Sequence, residues 1–333
     1  MKKLFAGFIL PLSLGWVSCN GQTEFGGNLL KLEKVFELPG VSGRIDHLSL
    51  NPEKNIIYMA ALGNNSVEVI NLNSGKVENS ITGLQHPQGV CYLPWTHAIA
   101  VANDDSGRLT FYDAQTLKAK KDLDLGDDAD NIRYVPENKT VYIGYGNGHI
   151  ALIDEVSQKL KGTIPLDGHP ESFQTDHKTG KIWVNVPGAN LIEVLDGNNL
   201  KVLDKWKQKK YSSNFPMAYD SLQKHLFVAF RHPSRLVVFK AETGEEVAVI
   251  KCSGDADDIF YDPKSKRVLL TGGQGYIDMF QEKGTSYIPI AHLSSASGAR
   301  TSLWVPDQHK LFVAVPKRIG HSAELRMYKM MAQ

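Results

Sequence analysis

The stretch Asp128-Ala129-Asp130-Asn131-Ile132-Arg133-Tyr134-Val135-Pro136 returns as Asp255-Ala256-Asp257-Asp258-Ile259-Phe260-Tyr261-Asp262-Pro263, with six of nine positions identical. Its closing proline is a marker. Pro52, Pro94 and Pro136 are each 42 residues apart, Pro136 to Pro263 spans 127, about three such periods, and Pro306 follows 43 later. Two copies have lost the proline, with His177 and Ser221 in its place. A period of 40 to 45 with strand-like content marks a propeller blade. Seven units of this length account for most of the 333 residues, so the expected fold is all-β, a seven-bladed β-propeller over residues 30–330.

Each unit reads as four short antiparallel strands. In the first unit Asn55-Ile56-Ile57-Tyr58-Met59-Ala60 and Ser66-Val67-Glu68-Val69-Ile70 are the middle pair, separated by the turn residues Gly63-Asn64-Asn65. The last unit stops at its third strand, Leu325-Arg326-Met327-Tyr328, while Leu30-Lys31-Leu32-Glu33-Lys34-Val35-Phe36-Glu37-Leu38 is a strand without a blade. The N-terminal strand is therefore expected to complete the last blade and cover its open edge.

Net charge is +1, which favours neither nucleic acid nor an acidic surface. Lys205-Trp206-Lys207-Gln208-Lys209-Lys210-Tyr211 is basic with interleaved aromatics, but its place in the repeat is an outer strand, so nucleic acid is not the expected partner. Lys2 and Lys3 precede an apolar run, Leu4 to Val17, too short to span a membrane, which reads as an export signal over residues 1–18. Val17-Ser18-Cys19 resembles a bacterial lipobox, although Trp16 departs from the leucine that pattern prefers. The resemblance implies lipidation at Cys19, a tether over residues 19–29, and an exported cell-envelope lipoprotein held at the membrane by its lipid; the propeller itself is expected to be a monomer. Ordinary secretion is the alternative. Cys91 and Cys252 fall in non-neighbouring units and without CxxC or CxxCH company, so neither a disulfide nor haem nor structural zinc is expected.

His86-Pro87-Gln88-Gly89-Val90, Ala100-Val101-Ala102-Asn103, Val67-Glu68-Val69-Ile70-Asn71 and Ala151-Leu152-Ile153-Asp154 resemble the YVTN-type repeats of YncE-like seven-bladed propellers. The resemblance implies fold strongly and function weakly. Such domains serve as binding surfaces, and related propellers carry lactonases, lyases and quinoprotein dehydrogenases.

In a propeller the innermost strands border a central channel and begin at one mouth. Eight residues before each marker stand Arg44, His86, Asp128, His169, Ser213, Asp255 and Gly298; six before stand Asp46, Gln88, Asp130, Glu171, Phe215, Asp257 and Arg300. Period-two alternation puts both sets on one face. Four before, the chain turns apolar: Leu48, Val90, Ile132, Phe173, Met217 and Ile259. Six carboxylates crowd this mouth against Arg44 and Arg300, with Arg231 in a loop at the same end, so protons, arginines or a cation must relieve the repulsion. The expected site is a pocket of Arg44, Asp46, His86, Asp130, His169, Glu171, Arg231, Asp257 and Arg300. It would take a small ligand, a glycan or an envelope protein. No cofactor motif is present; a hard divalent cation, Ca²⁺ or Mg²⁺, would sit on Asp46, Asp130, Glu171 and Asp257. As catalysis, His86 or His169 beside Asp130 or Glu171 would serve as general base for lactone opening or uronate elimination. The plain reading ties the same side chains to neighbouring blades, and an incomplete catalytic set favours binding over turnover.

Overall fold

The computed structural model describes residues 23–331; the expected export signal and the expected lipidation site, Cys19, lie outside them. The described residues form seven four-stranded antiparallel sheets arranged as the blades of a ring. Blade 1 runs Leu48–Asn51, Ile56–Ala61, Ser66–Asn71 and Lys76–Thr82, and five blades repeat that order. Blade 7 holds Ser302–Val305, Lys310–Val315 and Ala323–Met330, and its outer strand is Leu30–Leu38. That strand pairs antiparallel from Leu30↔Met330 to Leu38↔Ala323, as the orphan N-terminal strand required. Phe36 and Leu38 are 1% exposed and pack with Phe312 and Leu325 in the core shared by blades 1 and 7. Closure therefore rests on apolar burial as well as on the ladder.

The expected tether begins to dock earlier than its assigned end. Phe25 bridges to His292, Glu24 bonds Ser294 in blade 6, and Leu29 is buried, because an apolar residue beside an unfilled rim gains by covering it. No helix among the described residues is long and apolar enough to cross a membrane. Cys91 and Cys252 are both free thiols.

The marker turn survives loss of proline for a visible reason. The residue before the marker is Asn51, Asp176, Asp220 or Asp262 in blades 1, 4, 5 and 6. Its side-chain oxygen accepts backbone N–H groups two or three residues on, as from Glu53 and Lys54, Lys178, Leu222 and Gln223, and Lys264 and Ser265. Blades 2, 3 and 7 have apolar Leu93, Val135 and Val305 there and keep the proline. Either device makes the turn, so His177 and Ser221 are tolerated where Asp176 and Asp220 remain.

The innermost strands depart from simple alternation. Pairing skips one residue between Pro87 and Val90, Ala129 and Ile132, Asn214 and Met217, and Ala256 and Asp258. One extra residue at each bulge turns two consecutive side chains toward the axis. Gly89 occupies such a bulge; a Cβ there would collide with the Asp130 carbonyl of the next blade.

Candidate functional site

The bulges build the mouth. A cavity of about 270 Å³ is walled by Arg44, Gln88, Asp104, Asp128, Asp130, His169, Glu171, Phe215, Arg231, Asp257 and Arg300. Residues six before the marker thus converge on the axis, joined at the neck beneath by Asp46. His86 does not join them. Its backbone turns to φ 49°, and its Nδ1 lies 2.9 Å from Asp105 Oδ1 on the outer rim. Asp104, which the repeat alignment did not single out, takes part in the wall instead.

The two sides of the mouth differ. Across blades 5 to 7 the charges are consumed by one another. Asp257 accepts from Arg231 at 2.6 Å and faces Arg300 Nε at 2.9 Å, while Asp255 lies 3.1 Å from Arg300 Nη1. Arg231 also stacks over the Phe215 ring at 3.6 Å. In blade 1, Arg44 holds Asp46 at 2.7 Å. The Arg231 and Arg300 pairs tie blades 5, 6 and 7 together and occupy Asp257, whereas burial holds the Asp46 carboxyl well above the usual carboxylate range in spite of Arg44.

Across blades 2 to 4 the acids have no arginine. His169 donates Nδ1–H to the Gly146 carbonyl at 2.8 Å, which turns Nε2 toward Asp130 Oδ2, 3.6 Å away. Gly146 sits at φ 58° in the hairpin turn between Thr140–Tyr145 and His149–Asp154, so the glycine-rich run there is a turn and a histidine anchor. Ligand atoms of Asp130, His169 and Glu171 lie within 4.8 Å of one another. Asp130 is 5% exposed, and its Oδ1 is buried with no hydrogen-bond partner.

Protonation follows from this crowding. Burial, then repulsion from Asp130 and Asp257, pushes the Glu171 carboxyl up to about 8. Burial likewise lifts Asp128 to about 6, against the pull of His169. Burial opposes charge on His169, but Asp130, the Gly146 carbonyl and Asp128 outweigh it and raise the ring to about 9. At neutral pH this half of the mouth holds protons on Glu171 and His169 that a cation would displace.

Below the mouth, period-two reading missed a layer. His47, Asn131 and Ser172, five before the marker, share a neck of about 20 Å³ with Asp46, Asp130 and Glu171. Asn131 Nδ2 lies 2.8 Å from His47 Nε2, a bond from blade 3 to blade 1 across the axis. The signal was the polar pair Asp130-Asn131, repeated as Asp257-Asp258: two adjacent polar residues at the start of a buried strand mark the bulge. A chamber of about 400 Å³ lies beyond the neck. A larger cavity, about 770 Å³, is an outer groove beside Met331. Three of its cations are engaged, Lys264 with Asp307 at 3.0 Å, Arg267 with Gln281 at 3.2 Å and Lys329 with the Gln308 carbonyl at 2.8 Å, and it gathers no cluster of titratable groups like that of the channel, which is the stronger candidate. The basic outer strand of blade 4, Lys201–Lys207, buries Trp206 and pairs Lys205 with Asp167 at 2.6 Å.

No protein-family model matches this chain, and no curated protein matches its sequence. Solved structures match its fold. Kuenenia stuttgartiensis hydrazine synthase superposes at TM-score 0.75 and 15% identity, covering 89% of this chain and 96% of that one. A chain from a crystal structure of the mitotic checkpoint complex does so at TM-score 0.75 and 13% identity, covering 100% of this chain and 99% of that one. At such identities the likeness is one of fold, and the chain is a seven-bladed β-propeller.

Proposed function

We propose that this propeller is an envelope-anchored binding module whose channel mouth takes a divalent cation between Asp130, His169 and Glu171, and through it a small oxygen-rich ligand such as a glycan or carboxylate. The observation that carries the reading is the clustering of Asp130, His169 and Glu171, in which Asp130 keeps a buried, unpartnered Oδ1 while its Oδ2 lies toward an imidazole whose Nδ1 is held by the Gly146 carbonyl. An orphaned buried carboxylate oxygen costs free energy unless something occupies its lone pairs. Two carboxylates and the surrounding oxygens suit a hard cation, and the single imidazole extends the range to Mn²⁺. The cavity of about 270 Å³ leaves room for the ion, its waters and a small ligand group.

The geometry supports binding better than lactone or uronate chemistry. A histidine that stays protonated to about pH 9 is a poor general base, and His86 stands outside the pocket. Calorimetric titration with Ca²⁺, Mg²⁺, Mn²⁺ and Zn²⁺ at pH 7, in two buffers of different ionisation enthalpy, tests the reading. Binding should release between one and two protons, from Glu171 and His169, and Asp130→Asn should abolish it. Silence from all four ions would end the proposal. Anchoring rests on the sequence of residues 1–19 and has its own assay: labelled palmitate should enter the wild type and be absent from Cys19→Ser.

A further inference from the structure

The chamber beyond the neck has its own chemistry. It is ringed by residues three before the marker, Ser49, Cys91, Arg133, Gln174, Phe260 and Leu303, interleaved with apolar Leu48, Val90, Ile132, Met217 and Ile259. Arg133 is the cation of this wall. Its Nη1 donates to its neighbour's carbonyl, Ile132 O, at 2.9 Å, and its Nη2 to Ser172 Oγ at 3.2 Å. Among the described residues no carboxylate stands within ion-pairing distance of it. Asp258, on the same wall, spends its Oδ2 on the Ser302 backbone N–H at 2.7 Å. The mouth arginines, Arg44, Arg231 and Arg300, each have a carboxylate within 3.2 Å. Asp258 and Asp130 act on this half-buried guanidinium only from beyond ion-pairing distance, and guanidinium geometry matches a carboxylate through two parallel N–H bonds. Burial accordingly depresses the Arg133 guanidinium below its ordinary value.

We infer that the lower chamber is a second binding site, separate from the mouth, for a small monocarboxylate with an apolar body, its carboxylate on Arg133 and its body against Ile132, Met217 and Ile259. The volume suits this class. About 400 Å³ is the room of roughly a dozen waters, each taking about 30 Å³ in the liquid. The neck of about 20 Å³, crossed by the His47–Asn131 bond, divides it from the mouth, so its occupant enters from the opposite end of the channel.

The test is calorimetry on the full chain with straight-chain carboxylates of four to ten carbons and the matching primary alcohols. The carboxylates should bind, and the best should exceed its alcohol at least tenfold. Arg133→Met should erase that preference while leaving alcohol binding in place. Leu303→Trp fills the chamber without touching Arg133 and should remove both. Asp130→Asn should change neither, which separates this inference from the proposal for the mouth. No binding by any carboxylate, equal binding by acid and alcohol, or a preference that survives in Arg133→Met would each overturn it.

Discussion

Phe36→Ala probes ring closure at its most buried point. Phe36 is 1% exposed in the strand Leu30–Leu38, pairs with Leu325, and packs on Phe312. Truncating a fully buried phenylalanine to alanine costs about 3–5 kcal/mol from lost transfer energy and the cavity left behind. Against a native stability of about 5–15 kcal/mol, that is a large fraction. Whether the loss is global is the real question. If the N-terminal strand holds the ring shut, the whole propeller should unfold at lower urea, including blade 4 on the far side. Trp183 and Trp206, both in blade 4, report that blade once Trp16, Trp95 and Trp304 are replaced by Phe. In that background Phe36→Ala should shift the fluorescence and far-ultraviolet transitions together to lower urea with an unchanged slope. Val35→Ala, at a position 39% exposed, should stay within about 0.5 kcal/mol of its parent. A blade 4 transition that does not move, while blade 7 frays alone, would refute closure by this strand.

Further outcomes follow from the mouth. Glu171 in the folded chain titrates near 8 rather than 4.5, so between those values the folded state keeps a proton the unfolded chain has lost, and stability falls as pH rises through that window. His169, raised from 6.5 to about 9, contributes stability fully present below 6.5 and lost as pH rises through 9. Melting temperature should therefore decline from pH 5 to 9. Glu171→Gln should flatten the lower part of the decline, and a wild-type profile with no slope would contradict both assignments. Asp257→Ala strands Arg231 and Arg300 in a largely buried latch and should cost about 3 kcal/mol in urea denaturation; an unchanged midpoint would mean the latch is ornamental. Gly89→Ala forces a Cβ onto the Asp130 carbonyl and should lower both stability and cation affinity. Normal affinity in a stable Gly89→Ala protein would detach the bulge from the site.

Blade number, strand order and closure were legible because they depend on features that repeat: turn chemistry, β-branched runs and a terminal strand lacking partners. The site was legible in part. Asp130, Glu171, Asp257 and Arg300 meet because residues at one position in every repeat share one radius, and repeat alignment captures that. It could not say which acids would be spent on arginines, since Arg231, expected in a loop, stands near the end of the second strand of blade 5, His225–His232, and reaches Asp257 from there. Nor could it place His86, whose left-handed backbone points the ring to Asp105. Period-two reasoning fails where a bulge inserts a residue, and for that reason Asn131, Asp258 and the Arg133 layer were not assigned to the channel.

A crystal grown with MnCl₂ and measured for anomalous scattering addresses the mouth most directly. The account predicts a peak inside the cavity, about 2–2.6 Å from oxygens of Asp130 and Glu171 and beside His169 Nε2. An empty mouth at saturating manganese, or a peak only on the rim at His86, Asp104 and Asp105, would contradict it.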